Sequence, residues 1–125
     1  MMNKALSLFK ALSDRNRLRV IAALMFYPEL CACQITELLK VTGATVSRHL
    51  GILVSTGLLD SRKDGRWVYY TLKKTDEFKV IMRWIKTEFG ESELIHKDMK
   101  AVKEITNLDV EDLCRRQRGE ACRSK

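Results

Sequence analysis

The sequence lacks the features that mark several large protein classes. Its 125 residues hold two histidines and one proline, with no Cys-x-x-Cys pair, no glycine-rich loop of the kind that cradles phosphate, and no internal repeat. None of its cysteines is followed six places later by an arginine, the spacing that a thiol-based phosphatase or arsenate-reducing loop needs. These absences argue against an enzyme. Long apolar runs are missing as well. The longest charge-free apolar run near the start, Val20 to Tyr27, falls far below the ~20 residues of a membrane span. Lys10, Asp14, Arg15 and Arg17 interrupt what precedes it. With no secretory or membrane segment evident, the expectation is a cytoplasmic protein, where thiols stay reduced. The four cysteines, Cys31, Cys33, Cys114 and Cys122, then read as ligands, redox groups or core residues rather than as disulfides.

What is present suits one globular domain with a polyanionic partner. Hydrophobic residues make up 46% of the chain, and 23 Lys+Arg against 16 Asp+Glu give a formal charge of +7. Such a balance fits nucleic acid, and a dimer would double the basic surface.

Apolar spacing gives a helix over Ala5 to Leu12 and a second beginning after Ser13-Asp14, a good N-cap signal. Pro28 ends the second helix, because the residue before a proline is pushed out of the helical region. A third helix from about Cys33 to Lys40 and a fourth over Ala44 to Ser55 are joined by a tight turn at Val41-Thr42-Gly43, the pattern of a helix-turn-helix. Gly57 stands where a C-cap glycine belongs. Two strand-like runs, Leu58 to Arg62 and Arg66 to Leu72, flank Asp64-Gly65 and predict a hairpin wing. A fifth helix begins near Thr75-Asp76 and carries an apolar stripe of Phe78, Ile81, Met82, Ile85 and Phe89, beside Val80 and Trp84. That stripe exceeds what a small core needs at its periphery and predicts a dimer interface shared with the first helix. Leu94 to Leu108 reads as a loosely packed charged helix, and the end of the chain as a basic, flexible tail.

The start of the fourth helix presents Thr45, Ser47, Arg48 and His49, and the wing carries Arg62, Lys63 and Arg66. Hydroxyls bond phosphates or base edges, and arginine can grip guanine O6 and N7 together. Together these residues predict double-stranded DNA as the partner.

Five segments then carry a family resemblance: LSDRNRLR over Leu12 to Arg19, ELCAC over Glu29 to Cys33, ATVSRHL over Ala44 to Leu50, GLL over Gly57 to Leu59, and DGRWVYY over Asp64 to Tyr70. In order and spacing the chain resembles the ArsR/SmtB family of metalloregulatory repressors, over roughly Ala5 to Phe89 and with its arsenite-responsive branch in particular. The resemblance implies a mainly α fold with a small β-hairpin between the fourth and fifth helices. This is a winged helix-turn-helix that dimerises, binds a palindromic operator and releases it on binding a metal or metalloid. Residues 1–90 would form the DNA-binding and dimerisation domain, and residues 91–125 a charged extension with two cysteines.

Cys31 and Cys33 form the expected sensor, with Cys114 and Cys122 as further sulfur donors. Thiolates select soft ions, so the expected inducer is arsenite or antimonite, with cadmium or lead as alternatives, and no constitutive cofactor is implied. Side chains two apart on a helix point nearly opposite ways, so the pair can chelate only where the chain is not fully helical. Cys31 should therefore lie at or just before the helix start. In the arsenite-sensing branch a third cysteine commonly follows three residues after the second; here that position is Thr36, which turns attention to the tail cysteines. The branch that senses zinc uses Asp and His on the fifth helix, where this chain has no histidine before His96. The rival readings are two buried structural cysteines, a thiol-redox regulator, and a DNA-binding module without a ligand.

Overall fold

The computed structural model describes residues 2–118; Cys122 lies outside the described residues. The elements are α1 (Met2–Leu12), α2 (Arg15–Phe26), β1 (Leu30–Cys31), α3 (Ala32–Leu39), α4 (Gly43–Ser55), β2 (Leu59–Asp64), β3 (Trp67–Leu72), α5 (Asp76–Phe89), α6 (Glu93–Ile105) and α7 (Val110–Arg118). The three strands form one antiparallel sheet in the order β1-β3-β2.

Local chemistry sets the boundaries. Asp14 caps α2 by accepting from the N–H groups of Asn16 and Arg17 at 2.8 and 3.1 Å. Thr42 caps α4, accepting from the Thr45 N–H at 3.2 Å. The turn between α3 and α4 differs from expectation in one respect. Its left-handed residue is Lys40, at φ 56°, while Gly43 is already the first residue of α4. Gly57 ends α4 as expected, at φ 84°. Its N–H bonds the Val54 carbonyl, and the Leu58 N–H reaches back to Leu53, each at 3.0 Å; this pair of bonds is a Schellman motif.

The wing turn lies one step beyond the expected place. Asp64 pairs with Trp67, so β2 runs to Asp64 and the loop is Gly65-Arg66. Only Gly65, at φ 64°, takes a positive φ there. A two-residue hairpin with glycine at its first central position fits a type II′ turn.

One hydrophobic cluster joins α2 (Val20, Ile21, Leu24), α3 (Ile35, Leu38), α4 (Val46, Leu50, Leu53) and the later helices through Val102, Ile105 and Leu113. The expectation of a loosely packed helix over Leu94 to Leu108 is thereby corrected: Ile95, Asp98, Val102 and Ile105 are buried, and residues on both sides of position 90 share one core. Buried Asp98 explains why the apolar pattern looked weak. It receives Arg19 Nε at 2.8 Å and Arg19 Nη2 at 3.0 Å. The same guanidinium donates to Asn16 Oδ1 and to the Leu38 carbonyl, so α2, α3 and α6 meet at one arginine.

On α5, Phe78 and Ile85 are buried but Val80 and Trp84 are exposed. Leu6 and Phe9 of α1 are exposed too, and Lys4 Nζ joins α1 to α5 through Glu77 at 2.8 Å. Among the described residues, no helix is long and apolar enough to cross a membrane.

Candidate functional site

The extended backbone after Pro28 forms β1, whose two residues pair with β3: Leu30 opposite Tyr70 and Cys31 opposite Tyr69. At Cys31 the chain turns into α3. Cys31 is its N-cap, still extended at φ −79° and ψ 152°, at the helix start where the sequence puts it. Its sulfur faces the Gln34 N–H, while Gln34 Oε1 accepts from the Cys31 N–H at 2.7 Å. This is a capping box with cysteine in the place usually taken by serine or threonine. The Cys-x-x-Gln spacing was its signal in the sequence.

The two thiols are neighbours. The Cys33 thiol donates to the Cys31 sulfur and lowers its pKa to about 7; burial opposes this, and the N–H groups of Cys33, Gln34 and Ala32 assist. A helix N-terminus favours thiolate in this way. Tyr69 and Tyr70 are raised, first by burial and next by the charge of the Cys31 thiolate beside them.

Helix α7 comes over the same place. Leu113 and Cys114 are buried, and Gln117 Nε2 donates to the Cys33 carbonyl at 2.8 Å. Nothing in the sequence pattern pointed to Gln117. Cys114 is disulfide-bonded, which corrects the expectation that the cysteines stay out of disulfides. A sulfur in a disulfide is not a thiolate ligand. Among the described residues, Cys31 and Cys33 are the cysteines outside a disulfide. Also among those residues, no three His, Cys, Asp or Glu side chains are already gathered closely enough to hold a metal ion. The donors at hand are two neighbouring sulfurs, one with a lowered pKa, the kind of ligand that a thiophilic ion takes.

On α4, Ser47 and Arg48 are exposed and Thr45 is half-buried, its hydroxyl oxygen accepting from Thr42 at 2.9 Å. His49 is not on that face. It is 3% exposed, so the expectation that it reads DNA is corrected. Arg17 Nη1 lies 3.0 Å from His49 Nδ1. A guanidinium only donates, so Nδ1 accepts and the ring proton sits on Nε2, 4.0 Å from Asp14 Oδ1. Helical spacing held the clue, since His49 follows the core residue Val46 by three and precedes Leu53 by four.

On the wing, Lys63 and Arg66 are exposed and form no ion pair among the described residues; Arg66 lies over the Trp67 ring at 5.5 Å. Arg62 has another partner. Its Nε and Nη2 each donate to the Glu29 carboxylate at 2.7 Å, and its guanidinium lies 4.8 Å from the Tyr69 ring centre.

A helix-turn-helix whose second helix carries exposed polar residues, followed by a basic hairpin, is a winged helix-turn-helix, a fold suited to laying its second helix in the major groove of duplex DNA. Residues 14–61 match the family described as bacterial regulatory protein, arsR family. The chain is 48% identical over 65 residues to a cadmium resistance transcriptional regulatory protein CadC of Listeria innocua, covering 52% of this chain and 55% of that one. It is 42% identical over 67 residues to an arsenical resistance operon repressor of Escherichia coli, covering 54% and 57%. These matches span little more than half the length of either relative. Among solved structures, a transcriptional regulator HlyU from Vibrio vulnificus superposes with a TM-score of 0.58 at 31% identity, covering 70% of this chain and 90% of that one. The chain belongs to the ArsR family of transcriptional regulators.

Proposed function

We propose that the chain is a homodimeric repressor that holds operator DNA and releases it when a thiophilic ion binds at Cys31 and Cys33. The observation that carries this reading is the N-cap position of Cys31, extended, with its sulfur beside that of Cys33 and its pKa lowered to about 7. Arsenite or antimonite is the first choice of inducer, and cadmium or lead the second. The arsenical and cadmium regulators among the relatives support the class of ion without choosing within it.

Thr45, Ser47 and Arg48 reach the major groove, and Lys63 and Arg66 reach the phosphates. The exposed apolar faces of α1 and α5 cover each other between two copies, which sets the two α4 helices about 34 Å apart on one side of the duplex. Chelation by Cys31 draws its sulfur away from the Gln34 N–H and so disturbs the start of α3, which packs on α4. A third sulfur from Cys114 becomes available once a thiol reductant opens its disulfide, and the contact of α7 with α3 within one chain supports a donor from the same subunit, with the partner subunit as the alternative. Cys122 remains a further candidate outside the described residues.

The test is operator binding by gel shift with arsenite, antimonite, cadmium, zinc and peroxide added in turn. Cys31→Ser and Cys33→Ser should bind operator and ignore the ion. Release by none of these agents removes the sensor reading, and loss of DNA binding in both variants makes the cysteines structural. A thiol-redox regulator is the second reading, favoured by the disulfide at Cys114. It predicts release by peroxide and restoration by a thiol reductant.

A further inference from the structure

The sheet sets the sensor and the wing in one row. Tyr69 on the central strand is the register partner of Cys31 on one side and of Arg62 on the other. Directly opposed residues on adjacent strands point to the same face, so Cys31, Tyr69 and Arg62 lie in line across about 10 Å. The row is closed at its far end. Arg62 lies over the Tyr69 ring and returns two parallel bonds to Glu29, two residues before Cys31.

We propose that Glu29 and Arg62 are positioning residues that carry the ligand signal from Cys31 to the wing, and that Arg62 is not a DNA contact. The proposal rests on the sensor reading above. The Nε and Nη2 edge of the guanidinium is taken by the Glu29 carboxylate and Nη1 lies 3.6 Å from Asp64 Oδ2, so the group offers a phosphate no net charge. β1 is held to β3 over only two residues. When Cys31 draws its sulfur off the Gln34 N–H and onto a shared ion, Leu30 and Glu29 shift with it. Glu29 pulls on Arg62, and the hairpin changes its angle to α4. Operator release then has two routes from one event, through α3 and through the wing.

The full chain is tested as wild type, Glu29→Gln, Arg62→Gln and the reversed pair Glu29→Arg/Arg62→Glu. Operator affinity is read by fluorescence anisotropy at several salt concentrations, with and without antimonite. Ultraviolet absorption of the thiolate–antimony bond reports occupancy. Wild type should lose about tenfold or more in affinity on binding antimonite, within the usual range of allosteric coupling. Each single variant should bind antimonite as wild type does, yet lose less than about threefold. The reversed pair should recover the response, with affinity and salt slope near wild type. A merely structural role would not be rescued in the response alone. If Arg62→Gln lowers the salt slope by about one and the reversed pair binds DNA poorly, Arg62 touches phosphate and the proposal is wrong. Full response in both single variants also overturns it. If wild type shows neither thiolate–metal absorption nor release with antimonite, and neither with cadmium in its place, the sensor reading has failed and takes this proposal with it.

Discussion

Replacing Asp98 by alanine tests whether α6 is truly part of the core. The Asp98 side chain is 5% exposed and that of Arg19 is 16% exposed, so water does little to screen them. The substitution removes two charge-assisted bonds, at 2.8 and 3.0 Å. Breaking one side of a buried pair costs about 3–5 kcal/mol, because the other charge stays behind. Arg19 keeps Asn16 Oδ1 and the Leu38 carbonyl as acceptors, which places the expected loss at the lower end, about 3 kcal/mol. A domain of this size has about 5–15 kcal/mol in all, and the melting temperature should fall by about 10 °C. Urea titration followed by circular dichroism should show an earlier midpoint with little change in slope. The double variant Arg19→Met/Asp98→Leu should return to within about 2 kcal/mol of wild type, since apolar replacement of a buried pair is often tolerated. A loss below about 1 kcal/mol for Asp98→Ala would refute the reasoning, and α6 would then be held by its apolar face alone.

Two further outcomes follow from the site. Burial holds the His49 pKa below its ordinary 6.5, Arg17 and Arg48 push it the same way, and Asp14 opposes them. The unfolded chain therefore binds the proton more readily, and stability should fall as pH drops below about 6.5 toward the folded-state value. Melting curves between pH 7 and 5.5 should show this decline, and His49→Gln should flatten it; an unchanged pH slope would place the titration elsewhere. For DNA, Arg48→Ala should cost about 1–3 kcal/mol and relax base preference at one position, whereas Lys63→Ala should weaken all sequences alike and reduce the salt slope by about one. Equal effects of the two on a panel of altered operators would count against α4 as the reading element.

The middle of the chain was legible because its signals are local. The Asp14 cap, the Gly57 ending and the two strands around Gly65 each declare themselves within a few residues. The position of Cys31 followed from geometry, since a pair two apart cannot converge inside a helix. The parts that escaped depend on distance. Asp98 looks like a surface charge until Arg19, 79 positions earlier, is seen beside it. Arg62 looks like a wing-tip cation until Glu29, 33 positions earlier, is found on its guanidinium. β1 is too short to show any alternation. His49 was a different kind of error, because its helical phase pointed inward while its chemistry suggested DNA.

The bond from Gln117 to the Cys33 carbonyl has an evolutionary consequence. α7 approaches the cysteine pair from outside residues 14–61, the stretch that matches the family. The face of α4 proposed to read DNA and the helix that covers the thiols are separate lengths of chain, and α7 reaches the start of α3 through the Cys33 carbonyl. On the sensor reading proposed above, exchange or drift in α7 would retune which ion is noticed while the recognised promoter stays the same. On the same reading, substitutions on the exposed face of α4 would move the regulator to new promoters with its chemical sense intact.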